Sequence, residues 1–245
     1  MWLVCVLHLC NLTAFKASMM VVSLYAAELG TGAVMLGALF SAFALAPILL
    51  GVHAGRLTDS IGMRGPLLAG STGVSASLVL PAVLPGMAAL FASAILLGAA
   101  YVFCHVAIQN LVGALSTPQT RARNFANFSL IASVPYFIGP LLTGCLIERG
   151  GHALAFAGLA ALPMVSVVVL AMAGRVVPKV RCTQAGSQAC VRDLLGNRAL
   201  LHMAVTSGLV LTSVDLFQFY APLHAREAGL SPFETGAALS AYAVA

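Results

Sequence analysis

The sequence has little charge for its length. Of its 245 residues, 12 are Lys or Arg and 7 are Asp or Glu, so charged side chains make up only 8%. Soluble domains usually carry about 25% charge, and a chain with so little could not cover its own surface in water. Hydrophobic residues make up 60%, and the mean hydropathy is +1.00. The scarcity of charge argues against an ordinary soluble protein and indicates lipid as the solvent.

Patterns that carry chemistry are also missing. The six cysteines form no CxxC pair, and four of them lie inside apolar runs, which disfavours a metal centre or a disulfide framework. No nucleophile–base arrangement and no phosphate-binding glycine loop is present, so we predict no enzyme activity, no metal and no cofactor. The net charge is +5, but the basic residues are scattered over short connections rather than gathered on one face, so we expect no nucleic-acid partner.

Long apolar runs are abundant instead. The 56 residues between Arg64 and Arg121 include no Asp, Glu, Lys or Arg. A membrane-spanning helix needs about 20 mostly apolar residues, so this run holds two crossings joined by a turn at Pro85-Gly86. The same reasoning predicts an all-α membrane protein whose outer surface contacts the lipid bilayer. Its helices are expected near residues 2–26, 33–54, 66–84, 87–115, 125–147, 153–173 and 199–223, with an eighth beginning near 233.

The basic residues predict how the chain is oriented. The connections between predicted helices 2 and 3, 4 and 5, and 6 and 7 carry nine of them: Arg56, Arg64, Arg121, Arg123, Arg175, Lys179, Arg181, Arg192 and Arg198. The opposite side has only Arg149 and Arg226. Because cytoplasmic loops are enriched in Lys and Arg, we expect a multi-pass plasma (inner) membrane protein with its amino terminus and the 174–198 loop in the cytoplasm.

An internal repeat indicates two related halves. Residues 24–46 align with residues 223–245 at a constant offset of 199, and ten of 23 positions are identical. The identities include Glu28/Glu227, Gly30/Gly229, Gly37/Gly236 and Ser41/Ser240. Shared apolar composition alone would not place glycines, glutamates and serines in one register. Such a parallel repeat is typical of two halves related by an axis along the membrane normal.

The repeat predicts the domain organisation. Residues 1–173 would form a first six-helix repeat, 174–198 a cytoplasmic linker, and 199–245 the start of a second repeat. Two complete repeats would need about twice the offset, so we expect a truncated second half.

The stretch "GRLTDSIGMRGPLL", which begins at Gly55, resembles the cytoplasmic helix 2–3 signature of the major facilitator superfamily, G-x-L-x-D-[RK]-x-G-[RK]-[RK]. Gly55, Asp59, Gly62 and Arg64 are among the positions that match. The resemblance implies a six-helix half-bundle of the major-facilitator type plus helix 7 and the start of helix 8. It also implies a gating loop in which Asp59 and Arg64 hold the two halves together in one state.

The residue types of this signature also suit a plain tight turn. Gly55 and Gly62 would let the chain turn between closely packed helices. Asp59 could accept hydrogen bonds from the amides that begin the next helix, where negative charge is favoured.

A second stretch, "PYFIGPLLTG" at residues 135–144, resembles the helix 5 signature of the drug:proton antiporter branch through Gly139, Pro140 and Gly144. A kinked, closely packed helix explains the same residues, and we favour that interpretation. The arginine that many family members carry in helix 4 is missing.

Lys16 and Asp215 are the charged residues expected deep in the membrane. A charge at mid-bilayer costs about 2.5–3.5 kcal/mol on insertion scales, so such residues usually face a wet interior or a partner. Their separation equals the repeat offset, 16 + 199 = 215. We therefore predict that they face each other across a central cavity, as a charge pair or as a proton and substrate site. Alternatively, Lys16 reaches toward the headgroups and Asp215 pairs with Gln218 or Thr212.

Helix 4 supplies a second group of candidates. Tyr101, His105 and Gln109 recur every four residues and so share one face. His105 titrates near neutrality, which suits a proton relay, although a hydrogen bond to a neighbouring helix would explain it equally well. Asn11 in helix 1 is a further candidate for lining the cavity.

These observations and the resemblance predict a secondary transporter that moves a small solute by alternating access, with protons as the candidate coupling ion. The alternative is a membrane protein that transports nothing, either a truncated product or an interaction module. An enzyme or a channel fits the sequence less well.

Overall fold

A computed structural model describes residues 2–172 and 198–244, and the regular structure within these ranges is helical throughout. The all-α prediction is confirmed. The helical runs are α1 (Trp2–Glu28), α2 (Ala33–Ile61), α3 (Arg64–Val83), α4 (Met87–Ala114), a 52-residue run (Arg121–Met172), α7 (Arg198–Glu227) and α8 (Pro232–Val244). The predicted linker at 174–198 lies almost entirely outside the described residues.

The run Arg121–Met172 contains two helices. A straight α-helix of 52 residues would be about 78 Å long, far more than the roughly 30 Å of a bilayer core. The helical backbone breaks at Gly150 (φ −157°, ψ 22°) and at Gly151 (φ 69°, ψ −171°), and the positive φ at the second position favours glycine. We call residues 121–149 α5 and residues 152–172 α6.

The helices suit a bilayer. Six of the described helical runs are long and apolar enough to cross a membrane, with Arg121–Met172 counted as one run. In the most apolar 18-residue segment of α1, 78% is buried, whereas in the most apolar 18-residue segment of α2 only 28% is buried. The first helix therefore lies inside the bundle, against α5 and also in contact with α4 and α7, while α2 presents most of its surface outward.

Small residues set the closest helix contacts. A Cβ added at Gly70 of α3 would lie 2.8 Å from the backbone nitrogen of Cys104 in α4, and one added at Gly73 would lie 2.7 Å from the Cβ of Ala100. Without such side chains the backbones approach closely, which is how membrane helices gain packing energy. These contacts fix α4, and with it the polar residues along its face.

The backbone repeats at the same offset as the sequence. After α1 the chain turns at Gly30 (φ 75°), and after α7 it turns at Gly229 (φ 81°). In each turn the next amide donates to the carbonyl five residues earlier, at 3.3 and 3.0 Å, the arrangement that commonly ends a helix at a glycine. The pairs α1–α2 and α7–α8 therefore form the same kind of helix–turn–helix unit.

The predicted helix ends are correct to within a few residues except at α2. This helix was expected to end near residue 54 but continues to Ile61, so the whole GRLTDSI stretch is helical. The helix ends at Gly62, where φ is 87°. We refer below to the end of the bundle that carries Gly30 and Gly229 as the Gly30 end, and to the opposite end as the Arg64 end.

Candidate functional site

Lys16 of α1 and Asp215 of α7 form an ion pair. The Lys16 Nζ donates to Asp215 Oδ1, and the two side chains are 5% and 30% exposed. Lys16 thus points into the protein rather than toward the headgroups, and the carboxylate is paired with Lys16 rather than with Gln218 or Thr212. The pair joins α1 to α7.

Aromatic rings hold the ammonium in place. The Lys16 Nζ lies 4.6 Å from the ring centroid of Tyr136 in α5 and 5.9 Å from that of Phe15. Cations are attracted to aromatic faces at such distances, more strongly when water is excluded. Neither the repeat nor any spacing in the sequence connects Tyr136 to Lys16.

A cavity of about 590 Å³ lies on one side of the ion pair, between α1, α2, α4 and α7. This volume is within the 300–1,000 Å³ typical of small-molecule sites. Asp215 contributes a carboxylate to the cavity lining, and Tyr101, His105 and Thr212 contribute further polar groups. Apolar and aromatic side chains supply most of the remaining lining: Phe15, Met19, Phe40, Phe43, Ala44, Pro47, Ile48, Val102 and Leu211.

A second cavity of about 420 Å³ lies between α5, α7 and α8. Its polar lining includes Ser133, Tyr136, Gln218 and Tyr242. Tyr136 borders this cavity and also covers Lys16, whereas Asp215 borders the first cavity. The ion pair therefore stands between an apolar, aromatic chamber and a hydroxyl-rich one.

The three predicted residues of α4 form a continuous polar ladder. The Tyr101 hydroxyl is 3.3 Å from His105 Nδ1, and Gln109 Nε2 is 2.9 Å from His105 Nε2. The Tyr101 ring stacks on Phe15 with centroids 4.1 Å apart. This ladder runs from the ion-pair cavity toward the Arg64 end.

Asn11 is turned into the first half. Its Nδ2 donates to the Leu7 carbonyl at 2.8 Å and to Ser166 Oγ of α6 at 3.0 Å, and the residue is 1% exposed. The structure therefore places Asn11 among α1 and α6, apart from the Lys16–Asp215 contact.

The signature residues near α3 differ in their roles from the expectation. Asp59 does not cap α3, because that helix begins after Met63 with no side-chain cap. Asp59 lies inside α2, and its Oδ1 accepts a long hydrogen bond of 3.5 Å from Asn110 Nδ2 of α4. The expected capping is wrong because α2 runs past Asp59. Gly62 makes the turn, Arg64 opens α3, and Gly55 is helical.

The helix 5 stretch lies between α1 and α8. A Cβ added at Gly139 would be 3.3 Å from the Ala17 backbone nitrogen of α1, and one at Gly144 would be 2.5 Å from the Pro232 carbonyl of α8. In return, Gly236 of α8 packs on the Pro140 carbonyl. These residues let α5 approach both α1 and α8 closely.

Sequence reasoning missed a contact at the Gly30 end. The Glu28 Oε2 is 2.6 Å from His152 Nε2 at the start of α6. Together with Arg226 they border a cavity of about 410 Å³. No motif marks His152, since only the fold brings the α5–α6 turn beside α1.

Further hydrogen bonds between described residues join α1–α6 to α7–α8, and three of them involve Ser23, Phe233 and Ser240. Ser23 Oγ donates to the Phe219 carbonyl at 2.7 Å, and Ser240 Oγ donates to the Phe137 carbonyl at 2.6 Å. The Phe233 amide donates to Glu148 at 3.3 Å. All three lie between the Lys16–Asp215 pair and the Gly30 end. By contrast, residues 201–213 of α7, toward the Arg64 end, are exposed.

Solved structures share this fold. A peptide transporter POT in complex with sulfate matches with a TM-score of 0.63 and 18% identity, over 88% of this chain and 45% of its own. A bacterial homologue of the human drug peptide transporters PepT1 and PepT2 matches with a TM-score of 0.65 and 16% identity, over 93% of this chain and 52% of its own. The chain thus spans about half the length of these structures. No curated protein matches it.

The family comparison covers nearly the whole sequence. The family model described as Major Facilitator Superfamily matches residues 4–245, which include the signature stretch, the Lys16–Asp215 pair and the repeated turns. The chain therefore belongs to the Major Facilitator Superfamily.

Proposed function

We propose that the protein of which this chain is part is a secondary transporter that moves a small solute across the membrane by alternating access. The observation that carries the proposal is the ion pair between Lys16 and Asp215, which joins two symmetry-related helices at the wall of a solute-sized cavity. Placing charges at this depth in the membrane costs free energy, so a need to hold two helices together does not by itself explain this ion pair.

The distribution of contacts supports alternating access. Among the described residues, hydrogen bonds and close glycine contacts join α1–α6 to α7–α8 toward the Gly30 end. The arrangement corresponds to a carrier closed at the Gly30 end. Rocking of the halves about the Lys16–Asp215 pair would close the Arg64 end and open the Gly30 end.

The basic residues support an orientation. Arg56, Arg64, Arg121 and Arg123 lie at the Arg64 end, so the positive-inside rule puts this end in the cytoplasm. We propose that the amino terminus and the 174–198 loop are cytoplasmic, that the protein resides in the plasma (inner) membrane, and that residues 1–173 and 199–245 belong to different halves.

The ion pair suits coupling to protons. Asp215 is partly exposed and borders the cavity, so a proton arriving there would neutralise it and release Lys16. Loss of the pair would weaken the contact between α1 and α7 and favour the exchange between states. A solute group carrying positive charge would compete for the same carboxylate.

The test is solute uptake by the complete protein in proteoliposomes with an imposed pH gradient. The panel contains labelled amino acids, short peptides, sugars, organic cations and organic anions. We expect one class to accumulate, an uncoupler to abolish its accumulation, and Asp215→Asn to reduce its uptake at least about tenfold, a loss of about 1.4 kcal/mol in transition-state stabilisation.

The matched control is Glu227→Gln, which removes an exposed carboxylate from the end of the same helix and should leave uptake unchanged. Failure of every class, with a correctly folded protein, would favour the non-transporting alternative. Uptake that persists in Asp215→Asn would exclude the carboxylate as the coupling group.

A further inference from the structure

The cavity of about 590 Å³ beside Asp215, here called the large cavity, has a lining that favours positive charge. Among the described residues that border it, Asp215 brings a carboxylate and none is a Lys or an Arg. His105 also borders it, but its two ring nitrogens already face the Tyr101 hydroxyl and the Gln109 amide. An anionic solute in this cavity would therefore meet a carboxylate and no cation.

The rest of the lining offers few hydrogen bonds. The Tyr101 hydroxyl is directed to His105 at 3.3 Å, which leaves Thr212 as the other polar side chain among the described lining. A sugar or a peptide presents many polar groups, and each of them would lose water here without a replacement partner. Aromatic and aliphatic side chains make up most of the wall, so the cavity suits a ligand with an apolar body.

Asp215 still has an acceptor to offer on its cavity side. Lys16 donates to Oδ1, and among the described residues no group donates to Oδ2. The side chain is 30% exposed, and it borders the cavity. An ionised carboxylate accepts about four hydrogen bonds, so a cation that enters the cavity can reach this group.

The ammonium of Lys16 shows how such a cation would be held. It contacts Asp215 and lies 5.9 Å from the ring centroid of Phe15. Phe15 also borders the large cavity, where its ring stacks on that of Tyr101 with centroids 4.1 Å apart. A ligand cation on the cavity side of Asp215 would thus have a carboxylate and aromatic faces within reach, the combination that binds ammonium groups.

We propose that the large cavity binds organic cations, with the ammonium of the ligand on Asp215 and its apolar body among Phe15, Phe40 and Phe43. Lys16 competes with the ligand for the carboxylate. This inference rests on the proposed function and names the substrate class of its site.

The second cavity makes displacement of Lys16 feasible. A buried ammonium that loses its carboxylate is strongly destabilising if nothing replaces it. Tyr136, whose ring centroid is 4.6 Å from Lys16 Nζ, borders the cavity of about 420 Å³ together with Ser133 and Gln218. An ammonium that turns past Tyr136 would reach hydroxyl and amide oxygens there. Substitution of Lys16 by an apolar residue should therefore strengthen ligand binding rather than weaken it.

The test is isothermal titration calorimetry of the complete protein, purified in detergent, with four small probes. Phenethylamine carries the cation and an apolar body, phenethyl alcohol is its neutral counterpart, hydrocinnamate is an anion of similar size, and ethylamine has the cation alone. We expect phenethylamine to bind at least about tenfold more tightly than the alcohol, because hydrogen bonds to charged groups are the stronger ones. Hydrocinnamate should bind more weakly still, and ethylamine should lose the affinity that burial of the ring supplies.

Three variants locate the site. Asp215→Asn should make phenethylamine bind no better than phenethyl alcohol. Lys16→Met should raise the affinity for phenethylamine about tenfold, because the competing ammonium is gone, and should leave the affinity for the alcohol unchanged. Glu227→Gln, which removes an exposed carboxylate of the same helix, is the control and should change neither affinity.

Several results would overturn the proposal. They are no measurable binding of phenethylamine to a folded protein, equal or tighter binding of the alcohol or of hydrocinnamate, and unchanged or weaker amine binding in Lys16→Met. The comparison of the four probes needs no substitution, so it decides the matter even if a variant fails to fold. In the variants, binding of phenethyl alcohol reports that the cavity is intact.

The outcomes separate this inference from the proposed function. Selective binding of phenethylamine that requires Asp215, without uptake of any solute, would support the cation site and contradict the transporter. Uptake of sugars or organic anions, with no preference for phenethylamine over the alcohol, would support the transporter and contradict the cation site.

Discussion

At the scale of single residues, Lys16 and Asp215 have unequal surroundings although they form one ion pair. The lysine side chain is 5% exposed and enclosed by aromatic rings, whereas the aspartate is 30% exposed and borders the large cavity. Removal of either partner leaves a charge without compensation, but the lysine is by far the worse placed to regain water. The pair should therefore respond asymmetrically to substitution.

We expect Asp215→Leu to destabilise the protein by about 3–5 kcal/mol, because it leaves a buried ammonium unpaired. Lys16→Met should lower stability less, since the remaining carboxylate can be hydrated from the cavity. The double variant should be close to wild type, as is common when a buried pair is replaced by apolar residues. The measurement is unfolding of the purified protein in detergent, with Glu227→Leu as the exposed control. Equal losses in the two single variants, or additive losses in the double variant, would contradict this interpretation.

Some residue contacts could be predicted from the sequence and others could not. The repeat offset alone suggested that residues 16 and 215 face each other, because symmetry relates their depth in the membrane. The contact between Glu28 and His152 depends on how the α5–α6 turn folds beside α1, and no local pattern records that. The capping role expected of Asp59 is wrong, since α2 continues beyond it to Ile61.

At the scale of the elements, the two glycines of the signature stretch serve different purposes. Gly55 lies within α2, and a Cβ there would meet nothing within 4 Å. Gly62 ends the helix with φ 87° and ψ 169°, a backbone conformation that is essentially restricted to glycine. Only the second glycine is required by the turn.

Substitution of both glycines by alanine tests this distinction. Gly62→Ala should destabilise the protein by about 1–3 kcal/mol through backbone strain. Gly55→Ala should stabilise it by about 0.5–1 kcal/mol, because alanine is the better helix former. Thermal unfolding of the two variants under the same conditions gives the comparison, and equal effects of the same sign would refute it.

The contact between α5 and α8 depends on Gly144. A Cβ at this position would lie 2.5 Å from the Pro232 carbonyl, so Gly144→Ala must push α8 away. We expect faster hydrogen–deuterium exchange across Pro232–Val244, since exchange reports local opening. Gly51→Ala, where a Cβ meets nothing within 4 Å, is the matched control. Unchanged exchange in Gly144→Ala would show that α8 is held by other contacts.

At the scale of the whole molecule, the architecture was accessible from the sequence. Apolar runs and basic connections predicted the helices and their alternation, because the membrane imposes both. The cavities were not accessible, since their shape depends on how far α7 stands from α2 and α5. The described contacts join α1–α6 to α7–α8 toward the Gly30 end, and the proposed closure of that end has an experimental consequence.

Leu211 borders the large cavity on the exposed part of α7. In a variant without the six native cysteines, Leu211→Cys should react with a membrane-impermeant thiol reagent from the cytoplasmic side only. Arg149→Cys, at the exposed α5–α6 turn, should react from the opposite side only and serves as the control. Labelling of Leu211→Cys from the same side as Arg149→Cys would reverse the assignment of the open end.

The central claim is that Lys16 and Asp215 act as one unit between two halves that move. Exchange of the two charges tests it most directly, with the solute identified in the uptake panel as the reporter. Lys16→Asp and Asp215→Lys should each abolish uptake, because each places two like charges in contact. The double exchange restores an opposite pair and should raise uptake at least about tenfold above either single variant, the mark of coupled residues. Uptake by the double variant that is no higher than in the single variants would contradict the account.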